Sequence, residues 1–121
     1  MSSFSQTEVA TNALYQRKRY KNYEREVKVD KNGMAVLYMF GYPLAAITKD
    51  QRVFVKKPNI IDTSLVSRQF SDIIMRATNM RYWYWSDEIG GMRLGGEWIE
   101  ILDAGSVKMF NKQNPFKLYE Y

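Results

Sequence analysis

The sequence contains no cysteine and no histidine among its 121 residues. Without cysteine the chain can form no disulfide, no thiolate metal site and no cysteine nucleophile. Without histidine it lacks the commonest general base and the commonest metal ligand in proteins. A catalyst made from this chain would depend on carboxylate, lysine, tyrosine or serine groups alone. We therefore expect a protein that is not an enzyme and that needs no cofactor.

Long apolar runs are also lacking. The longest apolar stretch, residues 34–40, has the length of a strand and is far short of the roughly 20 residues that a membrane-spanning helix requires. The amino-terminal residues do not show the basic and then apolar layout of a secretory signal. We therefore expect no membrane contact and a cytoplasmic location, in a host cell if the chain is viral.

What the sequence does have is an excess of positive charge together with enough apolar residues for a core. Lysine and arginine number 18 against 13 aspartates and glutamates, which gives a net charge of +5. Hydrophobic residues make up 45% of a chain whose length fits one domain. A basic protein attracts nucleic acids and acidic proteins over long distances, but the charge alone does not choose between them.

The amino-terminal part of the chain predicts a short helix followed by a basic segment. Ser5 and Glu8 have the spacing of a capping box, and apolar residues then recur at helical spacing as far as Gln16. The apolar face is thin, so an arm that is frayed or ordered by a partner is the alternative. We expect residues 1–23 to form this helix and arm, and residues 24–121 to form a single α+β domain.

Four short segments predict an antiparallel meander. Asn32-Gly33 is a strong hairpin signal because both residues accept the positive φ angles of a tight turn. The segment before Gly41-Tyr42-Pro43 is apolar on both faces, which predicts a central strand that ends at this break. The predicted strands cover residues 24–29, 34–40, 44–48 and 52–56.

The second half of the chain predicts one main helix and further strands. An apolar stripe at helical spacing marks the helix and consists of Val66, Phe70, Ile73, Ile74 and Ala77. An aromatic strand is predicted at residues 80–85 and a hairpin at 98–102 and 106–110, whereas Pro115 argues against regular structure in the tail. The expected fold class is α+β, with an antiparallel sheet of two hairpins and a C-terminal aromatic strand or hairpin. We expect this sheet to pack on the main helix beside the short N-terminal one.

The best candidate binding surface is a run of cations interleaved with tyrosines. Cations suit phosphates and flat rings suit bases, so this composition is typical of nucleic-acid contact. The alternative is a solvated helix end whose cations face the negative end of the helix dipole. The candidate residues are Arg17, Lys18, Arg19, Tyr20, Lys21 and Tyr23.

A second candidate surface lies in the aromatic run Tyr82-Trp83-Tyr84-Trp85 and the glycine-rich segment after it. If the tryptophans are buried, Tyr82 and Tyr84 are exposed, and exposed rings on a sheet either stack bases or anchor protein interfaces. The alternative is that both faces are covered. Arg93, between two glycine pairs, is a further candidate contact in a loop that matches no phosphate-binding motif.

The layout of two strand pairs followed by Thr63-Ser64 and then Ser67-Arg68-Gln69-Phe70 resembles small uncharacterised domains encoded by bacteriophages. The resemblance spans about residues 27–75 and rests on element order plus this short motif. It implies a viral or mobile-element origin and supplies no catalytic residues. Small basic proteins of such origin are expected to act by binding.

The function expected from the sequence is therefore that of a non-catalytic phage-type binding protein. Its leading form contacts and inhibits or modulates a host protein or protein–nucleic-acid complex, such as a nucleic-acid-processing defence enzyme, with the chain acting as a homodimer. The alternative is direct binding of DNA or RNA by the basic arm and exposed aromatic residues. A virion or assembly protein, or one that sequesters a nucleotide with Arg68, Arg76 or Arg93, are further alternatives.

Overall fold

The computed structural model describes residues 3–56, 64–78, 98–104, 107–112 and 114–118. Within these ranges the chain forms three helices and seven strands. The helices are α1 (Ser3–Gln16), α2 (Ser64–Thr78) and α3 (Pro115–Leu118). The strands are β1 (Tyr20–Lys21), β2 (Arg25–Val29), β3 (Ala35–Met39), β4 (Tyr42–Ile47), β5 (Val53–Lys56), β6 (Trp98–Ala104) and β7 (Val107–Lys112).

All seven strands belong to one antiparallel sheet, in the same order as in the chain. The four-stranded meander predicted from residues 24–56 is confirmed as β2 to β5. The predicted C-terminal hairpin is confirmed as β6 and β7, and β6 pairs directly with β5 so that the hairpin extends the same sheet. The α+β class is thus confirmed, and β1 is an additional short strand at one edge.

Both long helices pack on one face of this sheet, α1 over β2, β3 and β4 and α2 over β4 and β6. The predicted stripe of α2 supplies Val66, Phe70, Ile73 and Ile74 to the core between the layers. From α1, Ala10 and Leu14 are fully buried in the same core. Of the two alternatives for the amino-terminal segment, the structure therefore shows a packed helix.

The other face of the sheet carries a second, smaller apolar cluster. It contains Met34, Val36, Ala46, Phe54 and Trp98, with Tyr38 packed against it. Side chains alternate between the faces of a strand, so β3 contributes Ala35 and Leu37 to one cluster and Val36 to the other. This arrangement explains why the β3 sequence is apolar throughout.

Strand β4 begins two residues earlier than the sequence predicts, because Tyr42 and Pro43 lie within it. The expected break is only the two-residue loop Phe40-Gly41, since Met39 pairs with Tyr42 across it. A register shift follows at once, with Tyr38 opposite Pro43 and Leu37 opposite Ala45. A β-bulge of this kind accommodates a proline that cannot donate a ladder hydrogen bond.

The prediction that Pro115 disfavours regular structure in the tail is wrong. Pro115 is the first residue of α3, where its missing N–H group would have had no intrahelical partner in any case. The Asn114 side-chain oxygen caps this helix by accepting a hydrogen bond from the Phe116 N–H at 2.9 Å. The Phe116 and Trp98 rings then pack in a T-shaped arrangement with their centroids 5.7 Å apart.

The predicted aromatic strand at 80–85 and the glycine-rich segment at 90–96 lie outside the described residues. In the part of the chain that the structure covers, no helix has both the length and the apolar character needed to cross a bilayer.

Candidate functional site

Arg17 is the first residue after helix α1 and begins the candidate basic surface. Its N–H donates to the Leu14 carbonyl at 3.1 Å, and the Lys18 N–H donates to the Ala13 carbonyl at 2.9 Å. These two bonds form a Schellman motif, in which the residue after the helix adopts a left-handed conformation. Arg17 has a φ of 52° where glycine is usual. The motif turns the chain sharply away from α1 and toward the edge of the sheet.

The chain then runs along this edge as β1, and the side chains of its two residues point to opposite faces of the sheet. Tyr20 lies opposite Val27 and packs against the main core, and its hydroxyl accepts a hydrogen bond from the Asn22 amide at 3.0 Å. Lys21 lies opposite Glu26 and is exposed, as are Lys18 and Arg19. The structure therefore leaves the predicted cations free of the core while Tyr20 is a core-packing residue.

Two adjoining depressions border β1 and the β2–β3 turn, with volumes of about 520 and 680 Å³. Val29 lines both depressions, and we call the two together the basic edge groove. Its charged lining residues among the described residues are six cations and two carboxylates. The cations are Arg17, Arg19, Lys21, Lys28, Lys31 and Lys49, and the carboxylates are Glu26 and Asp30.

One of the two carboxylates in the groove, that of Asp30, stabilises the turn between β2 and β3. Asp30 accepts hydrogen bonds from the backbone N–H groups of Asn32 at 2.8 Å and Met34 at 3.0 Å. These bonds hold the predicted Asn32-Gly33 turn, in which Gly33 has a φ of 80°. Asp30 keeps its negative charge in this role, so the six cations of the groove are offset by only two carboxylates.

An aromatic ring lies beside the groove on the face opposite to the helices. Lys28 places its ammonium group 5.1 Å from the centre of the Tyr38 ring, a cation–π geometry. Burial raises the pKa of the Tyr38 hydroxyl, and the nearby Glu26 and Asp30 carboxylates act in the same direction. The hydroxyl is therefore neutral at physiological pH and can donate a hydrogen bond to an anion.

Three cations of the groove were not among the residues predicted from the sequence: Lys28, Lys31 and Lys49. The sequence could have indicated that two of them are exposed. Lys28 alternates with the apolar Val27 and Val29, and Lys31 lies in the predicted turn. Lys49 lies in the next turn, and its side chain comes within 3.4 Å of a Cβ built on Gly33. That proximity depends on the tertiary structure.

The most buried cation of the described residues, Arg25, is part of the core rather than of the groove. Its guanidinium donates to the Gln69 side-chain oxygen at 2.6 Å and the Thr7 hydroxyl at 3.2 Å, and it pairs with Glu24 at 3.3 Å. Gln69 in turn donates to the Thr11 hydroxyl at 2.8 Å. Burial lowers the pKa of Arg25, and Glu24 acts in the opposite direction.

The arginines of α2 that were considered for nucleotide sequestration lie in the helix layer. Arg76 places its guanidinium 5.4 Å from the Tyr15 ring centre and contacts the Asn12 side chain. Arg68 is exposed on the same helix. The remaining predicted residues, Tyr82, Tyr84 and Arg93, lie outside the described residues. The described part of the predicted site thus brings together Arg17, Arg19 and Lys21, with Lys18 and Tyr23 adjoining them.

Comparison with protein families, with curated proteins and with solved structures yields no match to this chain.

Proposed function

We propose that the protein binds nucleic acid, without catalysis, along the basic edge groove. The observation that carries this proposal is the composition of the groove, in which six cations face only two carboxylates. A positively charged groove is the feature with which nucleic-acid-binding proteins follow a phosphate backbone. The proposal includes a location in the cytoplasm, of the host cell if the chain is viral.

The charge of the groove favours nucleic acid over the active site of a nucleic-acid-processing enzyme as its partner. Such enzymes carry positive potential where their own substrate binds, and like charges facing each other across an interface oppose association. The centres of protein interfaces are also depleted of charged residues, especially lysine. Four of the six cations of the groove are lysines: Lys21, Lys28, Lys31 and Lys49.

Modulation of a host protein, as a homodimer or as a monomer, is the second candidate function. The observation that favours it is the shortness of β1, which pairs with only Glu26 and Val27 of β2. No described strand pairs with the outer side of β2 at Lys28 and Val29. An exposed strand edge of this kind accepts an added strand from a partner. Under this alternative the protein would bind its partner equally well when groove lysines are replaced.

A salt titration tests the proposal. If the six groove cations each contact a phosphate of a single strand, the logarithm of the association constant should fall with the logarithm of salt concentration with a slope of about −4. The measurement is fluorescence anisotropy with labelled DNA and RNA oligonucleotides at several salt concentrations. An absence of binding at low salt would reject the proposal.

A charge-matched pair of variants tests the location. Replacing Arg19, Lys21 and Lys28 with alanine should reduce the slope by about 2, because three phosphate contacts are lost. The control replaces Arg68, Arg76 and Lys117 of α2 and α3 with alanine, which lowers the net charge by the same three units. An equal loss of affinity in both variants would show that only the overall charge matters and would remove the groove from the proposal.

A further inference from the structure

Three large aromatic side chains are exposed together at one end of the sheet. Tyr23 is 96% exposed, Tyr42 55% and Phe40 45%. The β1–β2 turn carries Tyr23 and the β3–β4 loop carries Phe40. These two turns are joined by a hydrogen bond from the Phe40 N–H to the Glu24 carbonyl at 2.8 Å. We call Tyr23, Phe40 and Tyr42 the aromatic end.

The backbone at Phe40 is held in a conformation that phenylalanine disfavours. Phe40 has a φ of 52° and Gly41 a φ of 82°, and together they form the two-residue loop between β3 and β4. Positive φ at both positions is the pattern of a type I′ turn, for which asparagine and glycine are preferred. A large apolar residue whose backbone is strained and whose side chain is half-exposed contributes little to the stability of the fold. Such outliers are concentrated at functional sites.

The aromatic end lies next to the basic edge groove. Lys21 lines the groove, and Tyr23 follows it by two residues. The Cα atoms of the two residues are therefore at most about 7 Å apart, the span of an extended chain. Tyr23 is therefore the ring nearest to the groove, and the hydrogen bond between the two turns brings the Phe40 loop beside it. A ligand that follows the groove past Lys21 would meet Tyr23 first.

Resting on the proposed function, we propose that the aromatic end stacks the unpaired bases of a single-stranded nucleic acid whose phosphates lie in the groove. Unpaired bases expose flat faces that stack on aromatic side chains, and this contact tolerates any base sequence. In a duplex the base faces are covered by their neighbours, so the rings would find no partner. The protein therefore prefers single strands to duplexes.

A second copy of the chain is a poorer occupant of the aromatic end. Stable interfaces bury about 800 Å² on each partner, which exceeds what three side chains can offer. Each copy also carries a net charge of +5, which opposes close approach. Both considerations favour an anionic ligand with exposed apolar faces, as a single strand has.

The test compares variants that remove the rings with variants that keep them. Replacing Tyr23, Phe40 and Tyr42 with leucine retains apolar side chains but abolishes stacking, whereas Tyr23→Phe with Tyr42→Phe retains all three rings. The probes are a labelled oligothymidylate of about 12 nucleotides and a duplex of the same length. Circular dichroism and thermal unfolding establish that each variant is folded before binding is measured by anisotropy.

We expect the leucine variant to lose about tenfold or more in affinity for the oligothymidylate and little for the duplex, because each stacked base contributes substantially to binding. The phenylalanine variant should keep the wild-type preference. A leucine variant with an unchanged preference for single strands would overturn the inference, while salt-dependent binding by the wild type would leave the proposed function standing. A wild type that binds neither probe would overturn both.

Discussion

Three residues other than glycine have positive φ within the described ranges, and they lie on or beside the candidate surface. Arg17 and Gln51 have φ angles of 52° and 71°, and Phe40 has a φ of 52°. When the Gln51 amide oxygen faces Arg17, it accepts hydrogen bonds from both terminal guanidinium nitrogens, at 2.6 and 3.1 Å. A left-handed backbone costs about 1–2 kcal/mol for a residue with a side chain. Each of these three residues therefore lowers the stability of the protein at the candidate surface.

The substitution Arg17→Gly should raise the stability of the protein and lower its affinity for oligonucleotides. Glycine adopts the left-handed conformation at the end of a helix without strain. The loss of the exposed Gln51 contact offsets part of this gain. We expect the free energy of unfolding to rise by about 0.5–1 kcal/mol, as measured by urea denaturation, while oligonucleotide affinity falls because a groove cation is lost.

Arg17→Lys is the matched control, since it keeps both the charge and the strained backbone. Its free energy of unfolding should stay near or slightly below that of the wild type, and its affinity should be close to wild type at low salt. A glycine variant that gains stability and retains full affinity would show that Arg17 does not contact the ligand.

At the scale of elements, α1 and α2 are joined through Tyr15. Its hydroxyl donates to the Ile73 carbonyl at 3.2 Å, and its ring contacts the Arg76 guanidinium. Burial raises the pKa of this hydroxyl well above its ordinary value of 10.0, with Arg76 opposing the shift and Asp72 adding to it. The interface between the helices thus requires a neutral tyrosine.

The raised pKa of Tyr15 predicts a loss of stability in alkali. A group whose pKa is higher in the folded protein contributes stability that is complete below the unfolded-state pKa, near 10, and is lost as the pH rises toward the folded-state value. Tyr15→Phe should cost about 1 kcal/mol at neutral pH through the lost hydrogen bond. Above about pH 10 it should lose less stability than the wild type.

The measurement is urea denaturation of both proteins from neutral pH to about pH 11. Tyr38, whose pKa is also raised by burial, adds to the alkaline loss in both proteins. The comparison between them therefore isolates the contribution of Tyr15. Parallel pH profiles for the wild type and Tyr15→Phe would contradict the prediction.

At the scale of the whole molecule, one buried polar network joins three elements. Arg25 of β2 bonds to Gln69 of α2 and Thr7 of α1, and Gln69 also bonds to the Thr7 carbonyl and the Thr11 hydroxyl. The motif residue Gln69 is thus a structural link between the helix layer and the sheet. A buried network of this kind fixes one relative position of the layers because only one arrangement satisfies all its donors.

A double-mutant cycle tests this network. Arg25→Met leaves Gln69 and Thr7 without their charged donor and should cost about 3 kcal/mol, since removal of one partner of a buried polar set is strongly destabilising. Adding Gln69→Leu should cost less in the Arg25→Met background than in the wild type, with a coupling energy of about 1–2 kcal/mol. Urea denaturation of the four proteins supplies all the values.

Lys28→Met on the same strand is the control for the arginine substitution. Lys28 is exposed, so its replacement should change the free energy of unfolding by no more than about 0.5 kcal/mol. Additive effects of the two core substitutions would show that Arg25 and Gln69 stabilise the protein independently.

The sequence by itself determined the fold class and most of the elements. Alternating apolar residues, the Asn32-Gly33 turn and the helical stripe that starts at Val66 are local signals, and each confirmed element has one of them. The short helix α3 and the start of β4 at Tyr42 were missed because the same proline signal has opposite meanings at a helix start, at a bulge and in a loop.

The tertiary structure decided which charged residues meet. Strand alternation puts Arg25 on the same face of β2 as the apolar Val27 and Val29, so its direction could be predicted from the sequence. Its partner could not, because only the position of α2 brings Gln69 to Arg25. Arg17 and Arg19 line the groove because of the turn after α1 and the pairing of β1 with β2. Lys49 reaches the groove, and Phe40 reaches the turn that carries Tyr23, only when the consecutive strands of the meander have paired. Residue types are local properties of a sequence, whereas a binding surface depends on long-range packing.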